Sequence, residues 1–403
     1  LAEEIRDSRG NPTIKVTVWA GDASGSFCVP SGASTGAHEA QELRDSDGKG
    51  VKNAIDKVNK VITPALMGKD VLKQKDIDEA MLSLDGTDNK SNLGGNSMIG
   101  VSIACAKAGA KARGEETFEY LRTLIAIKSS LQNGGQARQT PYLYMNLING
   151  GKHAKNGLAF QEYMIVPETL NAKEAVEMGM SIQNTLKEII IKKFGQDGAR
   201  FGDEGGFAPK TSDIEEPLHL LHEAIKQNGL EGKTRVALDV AATSFHSGGG
   251  YDVGDNKISK EELLDIYKVL SLKFNPLSIE DPFEETDFKS FRELKELGGA
   301  LVVGDDLTVT NAKLLQEAIG KKSISAMIVK PNQIGTLSET LEAMKLARDN
   351  GIELIVSHRS GETDDDFIAD LAYAFGCFGL KAGAPSKPER MVKYKRLVQI
   401  SGK

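Results

Sequence analysis

The 403-residue sequence is short of several features that would assign it to familiar classes. No apolar run approaches the roughly 18–20 residues of a membrane-spanning helix, so no membrane partner is expected. Three cysteines, Cys28, Cys105 and Cys377, lie far apart without a C-x-x-C pair, which argues against a disulfide framework or a zinc cluster. They read as buried thiols. Walker A, H-E-x-x-H and G-x-G-x-x-G patterns are missing too, which removes support for nucleotide and NAD chemistry. Excess positive charge is also lacking: the net charge is −7, leaving no electrostatic footprint for nucleic acid. An anionic substrate would therefore need local cations or metal. The first residues, LAEEIRDSRG, start without Met and carry no apolar leader, so a cytoplasmic protein is expected.

What is there suits a globular chain, with 40% apolar and 27% charged residues, and its length fits a barrel of about 250 residues plus a smaller domain. Residues 13–18, TIKVTV, alternate like a half-buried strand, whereas residues 50–125 show helical apolar spacing. In GNSMIGVSIACAKAGAKA at 95–112 the small residues let a helix pack closely. An α+β domain over 1–127 is expected. The stretch at 128–140 is poor in large apolar residues and precedes a proline, which predicts a linker and a second domain over 141–403.

Beyond residue 230 short apolar runs recur: VAL at 236–238, PLSI at 276–279, LVV at 301–303, MIV at 327–329 and LIV at 354–356. Between them lie helical stretches with start signals, Ser259 with Glu262 and Thr336 with Glu339. The spacing, roughly 25 residues for most units, is that of a strand, a helix and two short loops. Repeated βα units predict a closed parallel barrel, in which the residues after each strand converge on one mouth. Those residues are Asp239, Glu280, Asp305, Lys330, Ser357 with His358, and Lys381.

Asp239, Glu280 and Asp305 offer three hard oxygen ligands with no His or Cys at matching positions, a set suited to Mg²⁺. Lys330, Arg359 and Lys381 supply positive charge for an anion. A lysine beside metal is pushed towards its neutral form, so Lys330 reads as a base. FGDEGGFAP at 201–209 is a glycine-bounded loop presenting Asp203 and Glu204. Glu204 would serve as an acid if burial and Glu162 keep it protonated. His219 and His222 share i,i+3 spacing but fit an amphipathic surface better than a metal site, while His38 and His153 fit either a loop hydrogen bond or substrate contact. Asn89-Lys-Ser matches a glycosylation acceptor, which has no meaning without a secretory route.

Taken in order, DSRGNPT, SGASTGAHEA, NGGKHA with FQE, GDEGGFAP, ALDVAA, SIEDPF, VGDDLTVTN, VKPNQIGT, SHRSGET and KAGAPS resemble the enolase family from residue 7 to 386. The resemblance implies an N-terminal α+β capping domain followed by a variant (β/α)8 barrel whose early strands break the simple βα order. It implies reversible dehydration of 2-phospho-D-glycerate to phosphoenolpyruvate, in glycolysis and gluconeogenesis. Lys330 would take the C2 proton, and Glu204, assisted by Glu162, would help the C3 hydroxyl leave. Asp239, Glu280 and Asp305 would hold one Mg²⁺, and Ser34 a second together with the substrate phosphate. Arg359 and Ser360 would grip that phosphate and Lys381 the carboxylate side, with His153, Gln161, Glu162 and His358 lining the pocket. A homo-oligomer, most simply a dimer, is implied as well. The chain departs from the family with glycine and serine in GGNSMIGVS where alanines are common, Pro331 for a common valine and Lys152 for a usual serine. Two other readings are a related lyase or isomerase acting on a sugar acid or lactone, and a non-catalytic binding role on the same fold. Relatives of the first kind carry K-x-K on an early barrel strand where GDEGG stands here, and the intact acid, base and metal residues oppose the second.

Overall fold

A computed structural model describes residues 1–32, 36, 38–130 and 139–402. Ser34 and most of the expected linker, residues 131–138, lie outside the described residues. The chain starts with a three-stranded antiparallel sheet, Ala2–Arg6, Pro12–Ala20 and Ala23–Cys28, in sequential order. Its buried face, including Ile14 and Val16, packs on the helix Gly95–Ala112. Small residues make that approach possible: a Cβ on Gly100 would lie 2.7 Å from Val16, and one on Gly25 would lie 2.2 Å from the Ala108 nitrogen. The strand and helix read from TIKVTV and GNSMIGVSIACAKAGAKA are thus locked to each other. Cys105 and Cys377 are buried and Cys28 half-buried, all three as free thiols.

Eight strands then close a barrel: Tyr142–Asn149, Glu162–Pro167, Thr234–Asp239, Ser278–Glu280, Leu301–Gly304, Ala326–Val329, Glu353–Ser357 and Gly379–Lys381. The second strand runs antiparallel to both neighbours, and all other pairs are parallel. That inversion is the break in βα order that the resemblance implied. It has a geometric consequence: the start of the second strand, not its end, lies at the rim, so Glu162 pairs with Asp239 in register. Asp239 pairs in turn with Glu280.

Side chains alternate along a strand, so one row of each faces the barrel interior. Met164, Ala237, Val303, Ala326, Ile328 and Ile355 form one buried apolar cluster. Two residues further towards the rim, these rows reach Glu162, Asp239, Asp305, Lys330 and Ser357. The site is the polar continuation of the barrel core.

The two start signals hold. Ser259 and Glu262 form a reciprocal capping box on Lys260–Phe274, and the Thr336 side chain accepts from the Glu339 N–H ahead of Leu337–Asp349. After Asp239 the glycine-rich stretch HSGGGYDVGDN contributes to a small antiparallel sheet of His246–Ser247, Gly250–Val253 and Asn256–Ile258. His219 and His222 both pack against the Phe274 ring, consistent with a packing role. Among the described residues no helix is long and apolar enough to cross a membrane.

Candidate active site

The rim gathers residues from nearly every barrel strand around two buried lysines. Lys381 Nζ lies 2.9 Å from Asp239 Oδ2, 2.9 Å from Glu280 Oε2 and 3.2 Å from Glu162 Oε2. Burial alone would lower its pKa, but Asp239, Glu162 and Glu280 outweigh that and raise it well above the ordinary lysine value. Lys330 pairs closely with Asp305 Oδ2, whose other oxygen accepts from Gln333 Nε2 at 2.9 Å. With protein groups alone around Lys330, burial favours the neutral amine, yet Asp305 prevails and raises the pKa. Lys330 is a cation in this arrangement.

Glu204 and Glu162 face each other across His153, whose Nδ1 lies 3.8 Å from Glu204 Oε1 and 3.6 Å from Glu162 Oε1. Asn146 Nδ2 donates to Glu204 Oε2 at 3.0 Å, and His358 Nε2 lies 3.4 Å from that same oxygen. The glycines of the 201–209 loop are sterically required, since a Cβ on Gly206 would lie 2.4 Å from Asn149 Oδ1 and one on Gly202 2.8 Å from Asn149 Cβ. The surroundings act differently on the two carboxyls. Burial, the charge of Glu204 and the other rim acids raise Glu162 well above the carboxylate range despite Lys381. Burial would raise Glu204 too, but His358, His153, Arg390 and Lys381 together bring it well below. His358 is itself pushed well below its usual value, chiefly by burial, and its Nε2 is buried near Glu204 without a hydrogen-bond partner. The two carboxyls are thus shifted in opposite directions.

The expected ligands divide. Asp239 and Glu280 share Lys381, whereas Asp305 turns to Lys330 and joins Asp281 and Asp306, whose oxygens come within 4.8 Å of one another. Sequence reasoning missed Asp281 and Asp306, although each follows a singled-out acid, in EDPF and GDDL. Asp281, at φ 42°, accepts the backbone N–H groups of Asp305 at 2.9 Å and Asp306 at 2.8 Å, which fixes the end of that strand. The donor set fits a hard divalent cation on two observations. Glu280 Oε1 is buried without a hydrogen-bond partner, and burial with Asp239 alongside pushes the Glu280 pKa up to about 8. Asp239, Glu280 and Asp305 are the residues that would hold it.

Arg359 is buried and bound to Glu39 at 2.9 and 3.2 Å and to Asn332 Oδ1 at 3.0 Å. Glu39 and Asn332 were also missed, though both sit in motifs quoted above. Ser360 is buried beside Arg359, and Gln161 Nε2 donates to Asp239 Oδ2 at 3.3 Å. Of the expected site residues, all but Ser34 stand at this one rim. A larger cavity of about 400 Å³ lies between the N-terminal sheet and its helices; Trp19, Val58, Leu66 and Cys105 line it, with no set of acids or bases.

Fold and rim together define a barrel enzyme with a carboxylate and lysine acid–base centre. Residues 1–121 match the family model described as the enolase N-terminal domain, and residues 137–403 match the enolase C-terminal TIM barrel domain. The chain is 46% identical to enolase of Methanocaldococcus jannaschii over 99% of its own length and 93% of that protein. It is 44% identical to enolase of Thermococcus gammatolerans (99% of this chain, 93% of that protein) and 45% to enolase of Methanopyrus kandleri (99% and 94%). The chain belongs to the enolase family. Membership implies a hydro-lyase with a bound metal and a small phosphorylated substrate.

Proposed function

We propose that the protein catalyses the reversible dehydration of 2-phospho-D-glycerate to phosphoenolpyruvate, with Mg²⁺ as its metal at two sites. Asp239, Glu280 and Asp305 hold the first, and Ser34 contributes to the second with the substrate phosphate. When bound, the metal supplies positive charge that stabilises the negative charge developing on the substrate carboxylate. A cation held at the first site would compete with Lys330 for Asp305 and so would favour the neutral, proton-accepting amine. Lys330 Nζ then takes the C2 proton. The C3 hydroxyl leaves as water with the proton that the Glu162 and Glu204 pair holds. Arg359 and Ser360 grip the phosphate, Lys381 balances the carboxylate side, and His153, Gln161 and His358 line the pocket and exclude water.

The observation that carries this reading is a pair of buried carboxylates, Glu162 and Glu204, flanking His153 at the same rim as Lys330. We infer further that the chain works as a cytoplasmic homodimer, the dimer resting on the resemblance, and that its two domains, 1–127 and 141–403, meet at the 128–140 linker, which rests on the low content of large apolar residues there. Absorbance of the enol ester during incubation with 2-phosphoglycerate and Mg²⁺ tests the assignment. Wild type is expected to form product only with metal, and Lys330→Ala and Glu204→Gln to lose on the order of 10²–10⁴-fold in kcat. A fully active Lys330→Ala removes the base.

A further inference from the structure

His358 has a neighbour that the chemistry above does not use. Arg390, in the C-terminal helix Pro388–Ser401, is fully buried, and its guanidinium is spent on three consecutive residues of the rim. Nη1 donates to Arg359 O at 2.6 Å and Nη2 to Ser360 O at 2.8 Å, while Nη1 also contacts His358 Nδ1. An arginine has donors only. His358 Nδ1 must therefore offer a lone pair, and the single proton of the ring sits on Nε2, 3.4 Å from Glu204 Oε2. Packing enforces the arrangement. At Gly383, φ 82°, a Cβ would stand 3.0 Å from Arg390 Cδ, 3.1 Å from Glu204 O and 3.1 Å from His358 Cε1.

We propose that Arg390 is a positioning residue of the active site, fixing His358 as the neutral ring with its proton on Nε2, the nitrogen nearer Glu204. The charged groups facing that ring are Glu204 from the 201–209 loop, Arg390 from the C-terminal helix, and Lys381 and Lys330 from the barrel rim. Three of the four are cations. Glu204 alone favours a protonated ring, and Arg390 blocks the only other nitrogen that could take the proton. His358 then cannot drain the proton that the Glu162 and Glu204 pair keeps for the departing hydroxyl. The kinetic consequence rests on the dehydration proposed above; the state of the ring does not.

The test is ¹⁵N NMR of histidine-labelled full-length protein, with His358 assigned by comparison with His358→Gln. In wild type at pH 7 the ring is expected as the neutral form with Nε2 protonated. Nδ1 protonation, or a doubly protonated ring, overturns the proposal whatever the reaction proves to be. In Arg390→Met the ring is expected to titrate at a higher pH than in wild type, because one of the cations facing it is gone while burial and the two lysines remain. Its kcat should gain an acid limb at that pH, which Arg390→Lys shifts back towards wild type. A uniform loss of kcat with an unchanged pH profile and an unmoved ring would mean that Arg390 only holds the fold, and would also overturn it.

Discussion

Glu162 shows how far a single side chain depends on what faces it. Its carboxyl is buried against Glu204 and raised well above the ordinary value, while Lys381 pulls the other way. With the folded value above the unfolded one, folding takes up a proton. Stability from this group therefore declines as pH rises from the ordinary carboxylate range through the raised value. Glu162→Gln mimics the protonated form, so its thermal unfolding near neutral pH is expected within the change typical of a mild substitution, about 1 kcal/mol. Its kcat should still fall by on the order of 10²-fold, because the amide has no proton to give. Calorimetry beside the product assay checks both; strong destabilisation would mean that Glu162 is ionised. Much of this residue scale was legible. Acids and lysines one step beyond apolar strands stand out because the inward row simply continues. The opposite shifts of Glu162 and Glu204 were not legible, since the lowering of Glu204 depends on His358 and Arg390, which no local pattern links to the 201–209 loop.

Elements carry the next level. The second barrel strand, Glu162–Pro167, is as apolar as its neighbours, so its sequence does not say that it runs the other way; only pairing does. The sheet within 246–258 was hidden for a different reason, its glycine and short polar strands reading as an insertion. The capping boxes were visible because their chemistry is local. The helix Gly95–Ala112 is tied to the barrel by Lys107, 2.8 Å from Asp365 in a largely buried pair. Burial would lower Lys107, but Asp365 and Asp366 reverse this and raise it. That contribution is complete below the ordinary lysine pKa and is lost as pH rises through the raised value. Lys107→Ala strands Asp365, and a loss of about 3 kcal/mol is expected in denaturant unfolding. A change below about 0.5 kcal/mol would show that the pair is solvated.

At the scale of the whole molecule, the N-terminal sheet and barrel complete one site. Ser31 bridges to Gly361, and Glu39 reaches Arg359 across the domain junction. The rim sets Lys330, Arg359 and Lys381 among crowded acids, and a divalent ion should complete that balance. Mg²⁺ at about 100 times its dissociation constant is expected to add about 2.7 kcal/mol of stability. Differential scanning calorimetry should show this in wild type and not in Asp239→Asn with Glu280→Gln. An equal rise in the double variant would place the ion elsewhere.

The most direct measurement is exchange of the C2 hydrogen of 2-phosphoglycerate with D₂O, followed by NMR with Mg²⁺ present. Lys330 as base and the Glu204 and Glu162 pair as acid predict that Glu204→Gln still exchanges the hydrogen while forming little product, and that Lys330→Ala does neither. Exchange in Lys330→Ala at the wild-type rate would contradict the account.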